Sequence, residues 1–371
     1  MVPRAPNLSK TILNQETLTY EEYDGVEIPP SDIVAYNESR SCADLFRMHT
    51  QGILDIRPEF QREVVWNDAA QTRFIDSIIK QLPIPSMCFS LDYKTQRWQV
   101  IDGLQRMASL IRFLSGDPNW RLSRLDDVER QIAGVNASDF KNMDSALHIF
   151  HQRVENLTLP ITVIRCDYSK RSHTNYLFTI FHRLNTGAVK LNNQEIRNCI
   201  YAGSFNTLLD TLNTLPDWLK LNRMKSPHGK RFKGQEMILR LFAFNEKYEE
   251  YGGRLAKFLN HYMGDNRFMN EYEIEEKTNL FYETIDIVFK AIFDSTSPTK
   301  GPMSVLEATL VGVSRNLRNL SGVSQEECRA RYDRMILHEE FSPERLSEGL
   351  AGKERLLGRI GAAVRIFSEN A

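Results

Sequence analysis

The stretch Trp98-Gln99-Val100-Ile101-Asp102-Gly103-Leu104-Gln105-Arg106-Met107 changes its period in the middle, and that change decides the fold. Trp98 to Ile101 reads as a short strand. From Gln105 to Leu114 the apolar residues Met107, Leu110, Ile111 and Leu114 fall at the spacing of a helix face. Asp102-Gly103 makes the turn between the two. Upstream, Ser86 to Leu91 reads as a partner strand across the polar turn Asp92-Tyr93-Lys94-Thr95. Before it, Asn67-Asp68 can cap a helix from about Ala69 to Gln81, with Phe74, Ile75, Ile78 and Ile79 on one face. Leu82-Pro83-Ile84-Pro85 stops that helix. Helix, hairpin, tight turn and helix make a compact α+β arrangement. It sets Asp102 to Arg106 at a strand end and a helix N-terminus, where free backbone N–H groups and the helix dipole favour anions.

Outward from this unit, Ser41 caps a helix that buries Leu45 and Phe46, and Ile53 to Ile56 is a short extended piece. Residues 115–140 read as a loop-rich excursion, Leu159 to Cys166 as a strand, and Tyr176 to Leu184 as a helix entering the turn Asn185-Thr186-Gly187. Beyond Asn193 the chain is helical to its end, over about 194–214, 233–250, 252–263, 270–293, 303–318, 324–337 and 342–368. The loop Asp294 to Gly301 divides that half. The expected organisation is an N-terminal arm over 1–40, an α+β domain over 41–205 and an all-α domain over 206–371.

A length of 371 residues with 42% hydrophobic and 26% charged residues is ordinary for a globular chain and excludes disorder throughout. The formal net charge of -1 supplies no global attraction to nucleic acid or to an anionic membrane, so any such contact needs a local basic patch. Met1 to Lys10 has no apolar core of a signal peptide, and no apolar run approaches the roughly 20 residues of a membrane span. Five scattered cysteines without a CxxC pair read as reduced thiols of a cytoplasmic protein. There is no GxxxxGK[ST] loop, zinc cluster or G-x-S-x-G elbow.

Three clusters carry candidate chemistry. In Asp102-Gly103-Leu104-Gln105-Arg106, glycine permits close backbone approach and Arg106 supplies a planar fork for phosphate oxygens. Gln105 can position a water or meet a base edge, and Asp102 can hold a metal ion or a ribose hydroxyl. Taken alone the same turn reads equally as a helix start capped by Asp102 with Arg106 in a surface ion pair. Arg57-Pro58-Glu59-Phe60-Gln61-Arg62, followed by Val65-Trp66, offers Gln61 and Arg62 to an anion. Phe181-His182-Arg183-Leu184-Asn185-Thr186-Gly187 with Leu191-Asn192-Asn193-Gln194-Glu195 offers Arg183, Asn185 and Glu195 as phosphate, ribose or metal ligands, or a plain helix C-cap. His148 and His151 lack a third ligand and read as surface residues rather than a metal site. The run Lys220 to Lys233 contains Arg223, Lys225, Lys230, Arg231 and Lys233 with no acidic residue, and reads either as a nucleic-acid backbone contact or as a solvated loop.

The order Phe60-Gln61-Arg62, Val65-Trp66, Pro83-Ile84-Pro85, Ile101-Asp102-Gly103-Leu104-Gln105-Arg106 and Arg183-Leu184-Asn185-Thr186-Gly187 resembles the N-terminal domain of GmrSD-type restriction proteins, of the ParB/sulfiredoxin-like group, over about residues 40–205. The stretch Arg231 to Met263 is similar to the extension that follows this domain. The resemblance implies a ParB-like domain that binds and hydrolyses a nucleoside triphosphate with Mg2+, coupled to defence against foreign DNA. On it, Asp102, Gln105 and Arg106 are catalytic, Gln61, Arg62, Gly103, Arg183 and Asn185 bind nucleotide, and Asp102 with Glu195 holds the metal. The family motif usually reads Asp-Gly-Gln-Gln-Arg, and Leu104 departs from it. Nor is there a paired-histidine HNH signature after residue 205, so a stand-alone form acting with a separate nuclease partner, or as a homo-oligomer, is expected. The alternative is a non-catalytic DNA-binding or partner-binding module, with direct DNA cleavage by this chain ranked below both.

Overall fold

The computed structural model describes residues 29–56, 66–184, 191–227, 232–298, 301–347 and 349–369. The described chain separates into two compact units, one within residues 27–191 and one within 192–371.

The first unit is α+β. Strand β1 (Val34–Ser41) leads into helix α1 (Cys42–Thr50), which Ser41 caps by accepting from the Asp44 N–H at 3.1 Å. A two-residue strand β2 (Leu54–Asp55) follows. Helix α2 (Asp68–Ile79) is capped by Asn67, whose side chain accepts from Ala70 N–H at 2.9 Å. The hairpin β3 (Met87–Asp92) and β4 (Arg97–Asp102) then delivers the chain to helix α3 (Leu104–Ser115). A 3-10 turn over Ala137–Lys141, helix α4 (His148–Asn156), strand β5 (Thr158–Cys166) and helix α5 (Arg171–Leu184) complete it. The sheet order is β1-β5-β3-β4-β2, antiparallel at β1/β5 and β3/β4, parallel at β5/β3 and β4/β2.

Every residue of β3 is buried, so the sheet is covered on both faces at its centre. Helix α5 packs on β4, and α1 to α4 pack on one another. Helix α3 buries Met107, Leu110 and Leu114 of the stripe its spacing predicts, leaves Ile111 partly buried, adds Leu104 and Phe113, and ends at Gly116 in the left-handed conformation, φ 69°. The loop-rich segment 115–140 is not peripheral: Trp120, Leu122, Val128, Ile132 and Phe140 all enter the core.

Residues 34–40, assigned to the arm from sequence, form with Ser41 the edge strand β1. Four of its first residues are exposed on successive positions, so no apolar alternation marks it. His151, expected at the surface, is buried, and its ring stacks on His148 at 5.8 Å and on Phe113 at 6.0 Å. The stripe of α4 faces inward there, and the imidazole serves as a core aromatic beside Glu155 at 3.4 Å.

The second unit is helical: α6 (Asn193–Ile200), α7 (Ser204–Leu212), α8 (Pro216–Leu221), α9 (Lys233–Lys247), α10 (Leu255–Asp265), α11 (Glu271–Asp286), α12 (Met303–Ser314), α13 (Leu317–Leu320), α14 (Gln325–Leu337) and α15 (Lys353–Ser368). Helix α11 runs on into a π-helical turn over Ile287–Ile292. The single helix expected over 194–214 is broken at Tyr201–Gly203, where a side chain on Gly203 would collide with the carbonyl of Arg267. Gly312 lets α15 close on α12, with Phe367 2.8 Å from where a β-carbon would stand. An ion-pair chain crosses the core: Arg197 donates to Glu236 at 3.1 Å, Arg240 to both Glu236 and Glu307, and Arg359 to Glu307 at 3.5 Å. Arg197, Arg240, Arg359 and Glu307 are all buried. None of the described helices is long and apolar enough to cross a membrane.

Candidate functional site

Asp102 is the last residue of β4, paired across the hairpin with Cys88. Gly103 then takes φ 100°, ψ 14°, and opens α3 as its N-cap with no side chain capping the first turn. Only glycine serves here on two counts. The left-handed backbone disfavours any β-carbon, and one placed there would stand 2.6 Å from Met87 Cγ. The cap position therefore falls one residue later than the Asp102 cap that the turn alone suggests. The leading amides of α3 are left to whatever lies in front of them.

Arg106, one turn into α3, folds back toward the strand end. It donates to Asp102 Oδ2 at 2.9 Å, to the Pro85 carbonyl, and to the Ser86 carbonyl at 3.4 Å. Its side chain is 15% exposed and that of Asp102 39%, so the guanidinium is sheltered while the carboxylate meets solvent. Burial pulls Arg106 below its ordinary value and Asp102 pulls it back up. An arginine so placed keeps its charge. The other oxygen of Asp102 has no partner among the described residues. Behind the pair, burial, with Asp102 adding to it, pushes the Cys88 thiol up to about 12, so it is no nucleophile.

Leu104, the departure from the family motif, points into the core and is 8% exposed. Gln105 accepts the Trp66 N–H on its Oε1 at 3.2 Å. The Trp66 carbonyl in turn accepts from Gln71 Nε2 at 2.7 Å, and Arg112 donates to Gln71 Oε1 at 3.2 Å. Sequence reasoning missed Gln71, Met87 and the Pro85–Ser86 carbonyls. The available signal for Gln71 was a polar residue on the apolar face of α2, one turn before Phe74 and Ile75.

The structure thus brings Asp102, Gly103, Gln105 and Arg106 together. Arg183 is exposed in the last turn of α5, and no hydrogen bond or ion pair joins it to Asp102 or Arg106. Gln61, Arg62, Asn185, Lys230 and Arg231 lie outside the described residues. Glu195 closes a capping box at the start of α6, accepting the Asn192 N–H at 2.7 Å on Oε2. Among the described residues no three His, Cys, Asp or Glu side chains gather as a metal cluster. In the basic run, Lys225 is exposed, Arg223 is partly buried at φ 52° with its pKa lowered by burial, and Lys233 begins α9. Lys220 pairs with Asp217 at 3.5 Å.

Residues 42–202 match the family model described as GmrSD restriction endonuclease, N-terminal domain, a span that runs past the first compact unit to take in α6. No curated protein and no solved structure matches the chain significantly. The matched span holds the sheet, the Asp102–Arg106 turn and the helix opened by Gly103. That family implies a restriction-related, defensive role. Over residues 42–202 the chain is thus similar to the GmrSD N-terminal domain family.

Proposed function

We propose that the first unit is a ParB-like phosphate-handling domain that binds a nucleoside triphosphate with Mg2+ and hydrolyses it, in a protein acting on foreign DNA. The observation that carries this reading is the start of α3. A left-handed glycine opens an uncapped helix directly in front of a sheltered arginine. Helix amides and a low-dielectric guanidinium are what a phosphate needs, and phosphoryl transfer is catalysed mainly by such preorganised positive charge. Arg106 and the first-turn amides would hold phosphate oxygens, joined by Gln61, Arg62, Arg183 and Asn185.

Asp102 and Arg106 neutralise each other, so a phosphate entering the site meets little net charge. Asp102 keeps one oxygen without a partner among the described residues. One carboxylate completed by substrate phosphates and water is a donor set that Mg2+ accepts. Asp102 would hold the ion, and the ion would offset phosphate charge. The test is calorimetric nucleotide binding and phosphate release by the full chain, Arg106→Ala and Asp102→Asn. Loss of binding in Arg106→Ala and loss of Mg2+ dependence in Asp102→Asn are expected. Equal signals from wild type and Arg106→Ala overturn the reading.

A second reading is a non-catalytic module that binds DNA and recruits a separate nuclease. The closed Asp102–Arg106 pair favours it, because the guanidinium is already spent on a carboxylate and two carbonyls. It expects salt-sensitive DNA binding, lost on charge reversal at Lys230 and Arg231 beside Arg223, Lys225 and Lys233, with no phosphate release. Metal-dependent nicking of DNA by the purified chain would exclude it.

A further inference from the structure

We infer that Gln71, on the far side of Trp66 from the turn, is a positioning residue of the Asp102–Arg106 site, and that Gln105 serves that site as a hydrogen-bond donor. The inference rests on the phosphate reading above. The main chain at Trp66 is held on both sides. Gln105 Oε1 takes its N–H at 3.2 Å and Gln71 Nε2 donates to its carbonyl at 2.7 Å. The indole packs edge-on against Phe74 at 5.8 Å.

Gln71 is itself fixed. It is 3% exposed, and Arg112, which donates to its Oε1 at 3.2 Å, is tied to Asp68 and Asp117 at 2.6 Å each and lies over the Trp120 ring. Packing alone would favour an apolar residue of this shape, since a buried amide must recover its desolvation through hydrogen bonds. Here both ends of the amide recover it, and the bonds connect α2 to the main chain that meets the first turn of α3.

An N–H can only donate, so Trp66 settles which end of the Gln105 amide faces it. The oxygen is spent there and the Nε2 hydrogens have no partner among the described residues. They suit a phosphate oxygen rather than the activation of a water.

The experiment uses the full chain with MgATP and MgGTP as probes, titration calorimetry for affinity, and hydrogen exchange at the Trp66 amide without nucleotide. Gln71→Met and Gln105→Met are each expected to weaken binding about tenfold or more, as small misplacements of binding groups do. The double variant should be no weaker than the worse single. Both should speed exchange at Trp66. Gln105→Glu separates the two roles: its carboxylate still accepts the Trp66 N–H, so exchange stays slow, but it lacks the donors, so affinity falls. Unchanged affinity in Gln71→Met with a binding-competent wild type overturns its positioning role alone. Full affinity in Gln105→Glu overturns the donor role. A wild type that binds neither nucleotide overturns the phosphate reading and both roles with it, while Trp66 exchange still reports whether the clamp exists.

Discussion

Gly103 is pressed against Met87, so that a β-carbon on the one would stand 2.6 Å from Cγ of the other. Gly103→Ala must therefore meet two costs, a left-handed backbone worth about 1–2 kcal/mol and a steric collision added to it. Gly52, at φ 70° with nothing within 4 Å of its missing β-carbon, meets only the first. Thermal unfolding should show a clearly larger fall in Tm for Gly103→Ala than for Gly52→Ala. Equal falls would mean that Met87 moves aside without cost.

Leu104→Gln restores the residue usual in the family motif but puts an amide into an apolar core. A loss of about 1–3 kcal/mol in denaturant unfolding is expected, with no gain in nucleotide binding or turnover. A gain in either would show that position 104 reaches the ligand.

Asp32 is bound by Lys170 and by His173 Nε2, the latter at 2.8 Å, and it ties the chain entering β1 to α5. His173 Nδ1 accepts the Asp167 N–H at 3.0 Å, which places the ring proton on Nε2. The Lys170 bond and then the His173 bond lower the Asp32 carboxyl from 3.8 to about 2. A depressed carboxyl stabilises the folded state above its unfolded value and loses that contribution as pH falls through its folded value. The Tm gap between wild type and Asp32→Asn should be full near neutrality and close as pH falls from 3.8 toward about 2. A gap that persists in acid would locate its cause elsewhere.

Glu307 accepts from Arg240 at 3.2 Å and from Arg359 at 3.5 Å with no side-chain exposure. Glu307→Gln leaves buried guanidinium charge uncompensated and should cost on the order of 3–5 kcal/mol. Glu249→Gln, which breaks an exposed pair with Arg315 at 3.0 Å, should cost less than about 1 kcal/mol. Chemical denaturation of both variants checks the contrast.

Local features were legible in the sequence. The Ser41 and Asn67 caps, the β3–β4 hairpin and α3 follow from period and turn chemistry within a few residues, and α3 buries Met107, Leu110 and Leu114 of the stripe its spacing shows. Features made by distant contacts were not. Strand β1 is an edge whose residues are largely exposed, so it lacks alternation. The helix break at Gly203 packs against the Arg267 main chain, a contact that spacing along the sequence does not show. Nothing local in the sequence marks Arg197, Arg240 and Arg359 as buried, because their partners lie far along the chain. At the site, the motif residues could be named from sequence, but the inward Leu104 and the Trp66 bond of Gln105 depend on packing across the domain.

The pairing of β1 with β5 joins Asn37 to Thr162 through a 2.8 Å hydrogen bond over a separation of 125 residues. Closing so long a loop is entropically costly before any contact rewards it, and folding slows as such pairings accumulate. The inner hairpin can form as soon as its own residues exist, but the sheet cannot be finished until β5 has left the ribosome. During synthesis the nascent chain therefore carries β1 as an unpaired strand until β5 emerges, and docking of β1 on β5 completes the sheet before α5 closes over it.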